Sequence, residues 1–160
     1  MIKLPFFAVY IINQVKLRRL IKGYSARKLS EDIGLESQLV SKYENETNKN
    51  LYSPQILIKI ARILGCSVRD FYPSDEVLMQ NDGEHVNKII ISLSNLEDVK
   101  KIIAGLVDDG YFSKSRTFEK ITKYLHIDGK PESAVVKQGL DWAIVNGLLT
   151  MNDSSFIVIG

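Results

Sequence analysis

Residues 36–45, with the sequence ESQLVSKYEN, place hydrogen-bonding side chains at the spacing of one helical face. With Val40 and Tyr43 turned inward, the outward positions hold short or flexible polar groups: Ser37, Gln38, Ser41 and Lys42. Such a face suits the base edges in a DNA major groove, where Gln38 can pair with adenine and Lys42 can reach guanine or phosphate. Glu36 is favourable at a helix N-terminus but repels phosphates, unless it accepts a hydrogen bond from a cytosine amino group.

A pair of short helices over residues 25–45 would present this face. Gly34 provides the tight turn between them, because glycine adopts a left-handed conformation without steric cost. Ser30 is small where the two helices must cross closely. The apolar faces are supplied by Leu29, Ile33, Leu35, Val40 and Tyr43. Length, turn and crossing residue together favour DNA binding, and an ordinary helical hairpin in an all-α domain is the alternative.

Residues 25–45 resemble the helix-turn-helix of the phage-repressor family, also called the XRE family. Residues 41–45, SKYEN, are similar to the family's motif ending, and residues 53–73 are similar to its fourth and fifth helices. The resemblance implies a mainly α fold with a five-helix DNA-binding domain, and it assigns residues 36–45 as the recognition helix. It also implies that phosphates are held by Arg27, Lys28, Asn45 and Thr47, although a solvated helix face is an equal alternative for the two cations.

Two positions depart from the family pattern and favour a second hypothesis. Ala26 stands where the family often has a glutamine that clamps the DNA backbone, and Glu46 stands where a glycine is usual. Together with the acidic Glu36, these residues favour an antitoxin or adaptor whose second domain binds a protein partner. The primary prediction is a regulator of transcription, and specifically a dimeric repressor that reads two half-sites about 34–36 Å apart.

Charge and composition limit the classes of function. Residues 1–73 contain 12 Lys and Arg against 6 Asp and Glu, whereas residues 74–160 contain 9 against 13. A basic half that holds the helix-turn-helix suits a polyanionic partner, and the acidic half argues against wrapping the whole protein in DNA. The single cysteine, Cys66, excludes a disulfide framework. We find no metal-ligand cluster, phosphate-binding glycine loop or nucleophile with a base, so neither a cofactor nor an enzyme is expected.

The apolar stretch at residues 4–12 raises the question of a signal peptide. No small-residue cleavage site follows it, and Lys16, Arg18 and Arg19 come at once, so we interpret it as the start of a helix from Pro5 to about residue 22. It is also too short to span a membrane. We therefore expect a cytoplasmic protein without a membrane partner.

The second half of the chain predicts a further domain. Residues 74–93 are predicted to be a linker with a possible strand over residues 88–93, where a short buried helix start is the alternative. Residues 94–160 then show three helical patterns followed by a hairpin, which is the order of a winged helix. The stretch also resembles winged-helix modules that follow repressor-type domains, through residues 110–112 and 116–117. We expect this small α+β domain to mediate dimerisation or bind a protein partner rather than DNA.

Overall fold

The computed structural model describes residues 1–160, and the chain divides after Ile90 into two separately packed units. We call residues 1–90 the first unit and residues 91–160 the second unit. Every helix falls short of the length and apolar character that crossing a membrane requires. The first unit contains, in chain order, β1 (Lys3–Pro5), α1 (Phe6–Ile21), α2 (Ala26–Asp32), α3 (Leu39–Glu44), α4 (Pro54–Leu64), α5 (Asp75–Gln80) and β2 (His85–Asn87).

Helices α1 and α4 begin and end at residues that the sequence marks as helix ends. Pro5 precedes α1 at its N-cap position, and the side chain of Ser53 accepts a hydrogen bond from the Ile56 amide at the start of α4. Gly65 ends α4 in the left-handed conformation, with a φ angle of 68°. The core is formed by side chains at helical spacing, which include Ile11, Val15, Leu57, Ile60, Ala61 and Leu64.

The predicted fifth helix is a single 3₁₀ turn over Val68–Phe71. Ser67 forms a capping box with Asp70, and Phe71 is fully buried. Pro73, two residues after Phe71, cannot donate the backbone hydrogen bond that a longer helix would need.

Residues 74–90, most of the stretch predicted as a linker, contain α5 and β2 instead. β2 pairs with β1 in an antiparallel ladder that joins Lys3 to Asn87 and Pro5 to His85. Residues 88–93, which were predicted as a possible strand, have no regular structure. The β-branched residues 89–91 suggested a strand, but the strand that forms is β2, just before them. Its partner β1 lies 80 to 84 residues earlier, so local sequence could not identify the pairing.

A buried ion pair connects α1 to α3. Arg19 donates from Nε and Nη2 to the two carboxylate oxygens of Glu44, at 2.8 and 2.7 Å, and from Nη1 to the Tyr24 carbonyl at 2.7 Å. Both charged side chains are less than 10% exposed, at 7% and 8%. The two-point geometry fixes the angle between α1 and the end of α3, since neither side chain can rotate without breaking a bond.

The second unit contains α6 (Leu96–Asp108), β3 (Arg116–Thr117), α7 (Phe118–Tyr124), α8 (Glu132–Val145), β4 (Leu149–Asn152) and β5 (Ser155–Val158). The three strands form an antiparallel sheet in the order β3-β5-β4. Asp153 and Ser154 join β4 to β5 with positive φ angles of 48° and 62°, as a two-residue hairpin turn requires. All three predicted helices and the hairpin are present, although β3 was not anticipated.

Asn95 caps α6. Its side chain accepts a hydrogen bond from the Asp98 amide at 3.1 Å. Helices α6 and α8 approach closely at Gly139, where an added Cβ would lie 2.5 Å from Val99 Cγ1. The absence of a side chain at Gly139 therefore sets the spacing of these two helices.

We expect R19M to lower the free energy of unfolding of the first unit by about 3–5 kcal/mol, because it leaves the Glu44 carboxylate buried without a cation. The double variant R19M/E44M should cost much less than the sum of the two single changes, because no buried charge remains. Urea unfolding followed by far-UV circular dichroism measures both, and fluorescence of Trp142, the single tryptophan, reports the second unit separately.

The matched control is E31Q, which removes a carboxylate from the exposed Arg27–Glu31 pair and should leave stability unchanged. If R19M/E44M lost as much unfolding free energy as R19M and E44M lose together, the two residues would not be a coupled buried pair.

Candidate nucleic-acid interface

Helices α2 and α3 form the predicted pair around a left-handed glycine. Ser25 caps α2 by accepting a hydrogen bond from the Lys28 amide at 3.0 Å. Gly34 turns the chain with a φ angle of 77°, and no atom outside the turn lies within 4 Å of a Cβ placed there. Glycine is therefore required at this turn for its backbone conformation and not for space.

Ser30 joins the two helices by hydrogen bonds as well as by its small size. Its hydroxyl accepts from the Val40 amide at 3.0 Å and donates to the Ala26 carbonyl at 2.9 Å. Ser30 and Val40 are both fully buried. The sequence indicated a small residue at this crossing, and the structure adds that Ser30 bonds one of the N–H groups that have no partner inside α3.

The predicted recognition helix is shorter than residues 36–45. α3 covers six residues, Leu39–Glu44. Residues 36–38 form a turn instead, closed by a hydrogen bond from the Leu39 amide to the Glu36 carbonyl at 2.9 Å. Gln38 takes the N-cap position with a ψ angle of 1°, which is outside the helical range, so the helix starts after it.

The predicted base-contacting residues lie together on this turn and the first half of α3. Gln38, Ser41 and Lys42 are exposed, Ser37 is half-buried, and Val40 and Tyr43 are buried on the opposite side. The Ser41 hydroxyl donates to the Gln38 carbonyl at 2.8 Å. The arrangement gives one polar face on a helix whose other face is fixed in the core.

Each predicted cation of this region is paired with a neighbouring carboxylate. Three exposed ion pairs are present: Arg27–Glu31 at 2.8 Å, Lys28–Asp32 at 2.7 Å and Lys42–Glu36 at 2.9 Å. Hydrogen bonds to Glu31 and Asp32 raise the pKa values of Arg27 and Lys28, respectively. Exposed pairs of this kind contribute little to stability, so the cations can exchange a carboxylate for a phosphate oxygen.

Asn45 and Thr47 form a closed turn just after α3. The Asn45 side-chain oxygen accepts from both the amide and the hydroxyl of Thr47, each at 2.8 Å. Both side chains are exposed. The structure therefore brings the two predicted phosphate contacts together, with the Asn45 oxygen already bonded within the turn.

A buried lysine that the sequence did not indicate holds the loop after α3. Lys88 is fully buried, and its Nζ donates to the carbonyls of Asn45 and Asn48 at 2.7 Å each. Nearby, the Ile90 amide donates to the Glu46 carboxylate at 3.1 Å. Burial lowers the pKa of Lys88, and the charge of Glu46 opposes that shift. Sequence patterns gave no signal for Lys88, because a lysine is ordinarily an exposed residue.

The far end of the same loop is anchored by stacked aromatic rings. Tyr43 of α3 and Tyr52 lie with ring centroids 4.1 Å apart and planes inclined by 26°. Burial raises the pKa of Tyr52 well above its ordinary value. Residues 45–52 are thus fixed at both ends, at Lys88 and at Tyr52.

Comparisons with known proteins address the first unit alone. A family model described as Helix-turn-helix matches residues 15–71, from the middle of α1 to the 3₁₀ turn. No curated protein and no solved structure matches the chain. The structure contains no group of three or more His, Cys, Asp or Glu side chains that could hold a metal ion. The match supports an XRE-type helix-turn-helix over residues 15–71, and such a domain indicates a DNA-binding transcription regulator, a class that is typically not enzymatic.

Proposed function

We propose that the chain is a cytoplasmic, sequence-specific regulator that binds double-stranded DNA through the turn at residues 36–38 and α3. The observation that supports this proposal is the exposed polar face formed by Gln38, Ser41 and Lys42. The opposite face of the same helix is buried in the core. Gln38 carries the donor and acceptor pair that matches adenine, and Lys42 carries donors for guanine or phosphate. The face is short, so it reads only a few base pairs per copy.

Phosphate contacts in this proposal come from the edges of the same face. Arg27 and Lys28 lie in the first turn of α2, and their exposed pairing with carboxylates leaves them able to bond DNA. Glu36 releases Lys42 on binding and then faces a cytosine amino group or solvent. Asn45 and Thr47 contribute from the loop that Lys88 holds. Each cation must leave an intramolecular ion pair to bond a phosphate. We therefore expect the affinity for DNA to be moderate and to fall clearly as the salt concentration rises.

The second unit in this proposal is a winged-helix-like domain that pairs two copies of the chain. Its helices α6, α7 and α8 and the strand order β3-β5-β4 support the winged-helix assignment. Val145 is 85% exposed and Ile159 is 51% exposed, which is high for large apolar side chains. A dimer would place two α3 helices on a two-fold site, and occupancy of that site would repress transcription.

A protein partner for the second unit is the alternative, and the same exposed apolar side chains support it. The neutralised cations around α3 also favour an antitoxin or adaptor in which DNA binding is secondary. Selection of random duplex DNA by the full-length protein, followed by sequencing, distinguishes the two functions. We expect enrichment of a two-fold symmetric site, whereas a folded protein that enriches no sequence would overturn the proposed regulator.

We expect Q38A and K42A each to weaken binding to the selected site by about 1–3 kcal/mol while changing non-specific binding less, because both side chains face the bases. Fluorescence anisotropy with the selected and a scrambled duplex measures both affinities. K101A is the control, since it removes an exposed, ion-paired lysine from α6 of the second unit. Unchanged sequence preference in both variants would show that α3 does not read the site.

We expect K88M to weaken DNA binding roughly tenfold, because the loop that carries Asn45 and Thr47 loses its two buried hydrogen bonds. Amide hydrogen exchange of residues 45–50 should become faster in the same variant. The matched control is K49M, which removes the same charge from the exposed face of the loop and should leave exchange unchanged. Exchange as slow in K88M as in the parent protein would contradict a positioning role for Lys88.

We expect V145K to convert the dimer to a monomer, because a charge at the most exposed apolar position of the second unit disfavours a buried interface. Analytical ultracentrifugation of the full-length protein measures the association. M79K places the same charge at an exposed position of the first unit and should leave the dimer intact. If the parent protein is monomeric at all concentrations, the proposal of a dimer is wrong.

A further inference from the structure

An open cleft of about 540 Å³ lies in the first unit, between the start of α1, helix α5 and strand β2. None of the residues proposed to contact DNA lines it. Its volume is within the range of small-molecule sites, which is about 300–1,000 Å³. The side chains that matter for its chemistry are Phe6, Phe7, Leu78, Asp82, Glu84 and His85.

The apolar walls of the cleft come from Phe6, Phe7 and Leu78, together with Pro5. Phe7, in the first turn of α1, is 45% exposed, so its ring is accessible to a ligand in the cleft. Two phenylalanine rings beside a cleft offer both apolar contact and the negative ring faces that attract cations. The walls therefore suit a ligand with an apolar body.

The carboxylates are the charged side chains that distinguish this cleft from the rest of the first unit. Asp82 and Glu84 lie in its lining, which contains no lysine or arginine. The same holds for the surrounding stretch, since residues 74–87 contain four acidic residues and neither lysine nor arginine. The remainder of the first unit is basic, so this local reversal of charge favours a cation and disfavours phosphates and carboxylates.

We propose that the cleft binds a small organic ammonium ion that carries an aromatic or aliphatic body. The body packs on Phe6, Phe7 and Leu78, and the ammonium group lies between the carboxylates of Asp82 and Glu84. The inference goes beyond DNA binding and does not depend on it, because its test uses the protein without DNA.

The test uses three probes of similar shape: 4-phenylbutylamine, 4-phenylbutan-1-ol and 4-phenylbutyrate. Each is titrated into the full-length protein at about pH 8 and followed by amide chemical shifts in NMR spectra. We expect the amine to shift residues 5–7 and 78–85 saturably. The alcohol should bind at least about fivefold more weakly and the carboxylate weakest of all, because only the amine is attracted by both carboxylates.

The variant D82N/E84Q should reduce affinity for the amine about 5- to 20-fold and leave affinity for the alcohol unchanged. The matched control, D75N/E76Q, removes two carboxylates from the first turn of α5, outside the cleft lining, and should bind the amine normally. Equal binding of all three probes, an equal loss in the control variant, or no shifts at residues 5–7 and 78–85 would each overturn the proposal.

Discussion

A helix of six residues cannot form by its own hydrogen bonds, and α3 depends on contacts at both ends. At its start, Ser30 bonds the Val40 amide, and at its end, Arg19 bonds both oxygens of Glu44. The Glu44 carboxylate lies at the negative end of the helix dipole, where it is unfavourable unless a cation compensates it. Arg19 supplies that cation, so the placement of the recognition face depends on a residue of α1 that is not itself one of the proposed DNA contacts.

The loop after α3 is also held by a buried cation, which here bonds backbone carbonyls instead of a carboxylate. Lys88 directs its ammonium group at two carbonyls of residues 45–48, and the segment that carries Lys88 is itself held by the pairing of β2 with β1. The helix-turn-helix match ends at residue 71, whereas the residues that shape its loop extend to Ile90. Residues 72–90 are therefore part of the first unit and add to it a support that the family match does not cover.

Local features were predictable from the sequence, and long-range pairs were not. The caps at Ser25, Ser53 and Ser67 and the turn at Gly34 follow from short-range hydrogen bonding and backbone sterics, which the residue types reveal directly. The contacts of Arg19 and Lys88 join residues 25 and at least 40 positions apart, and a charged residue in sequence gives no sign that it is buried. The start of α3 was misplaced by three residues, because Glu36, Ser37 and Gln38 suit a helix start as well as a turn.

The pairing of β1 with β2 also constrains how the first unit is completed while the chain is being made. Pro5 pairs with His85, so the earlier strand is synthesised 80 residues before its partner exists. During that interval the contacts among α1 to α4 can form, whereas the strand ladder and the bonds of Lys88 require residues 85–88. We therefore expect a nascent chain to acquire its helix-turn-helix before the loop beside α3 becomes fully ordered.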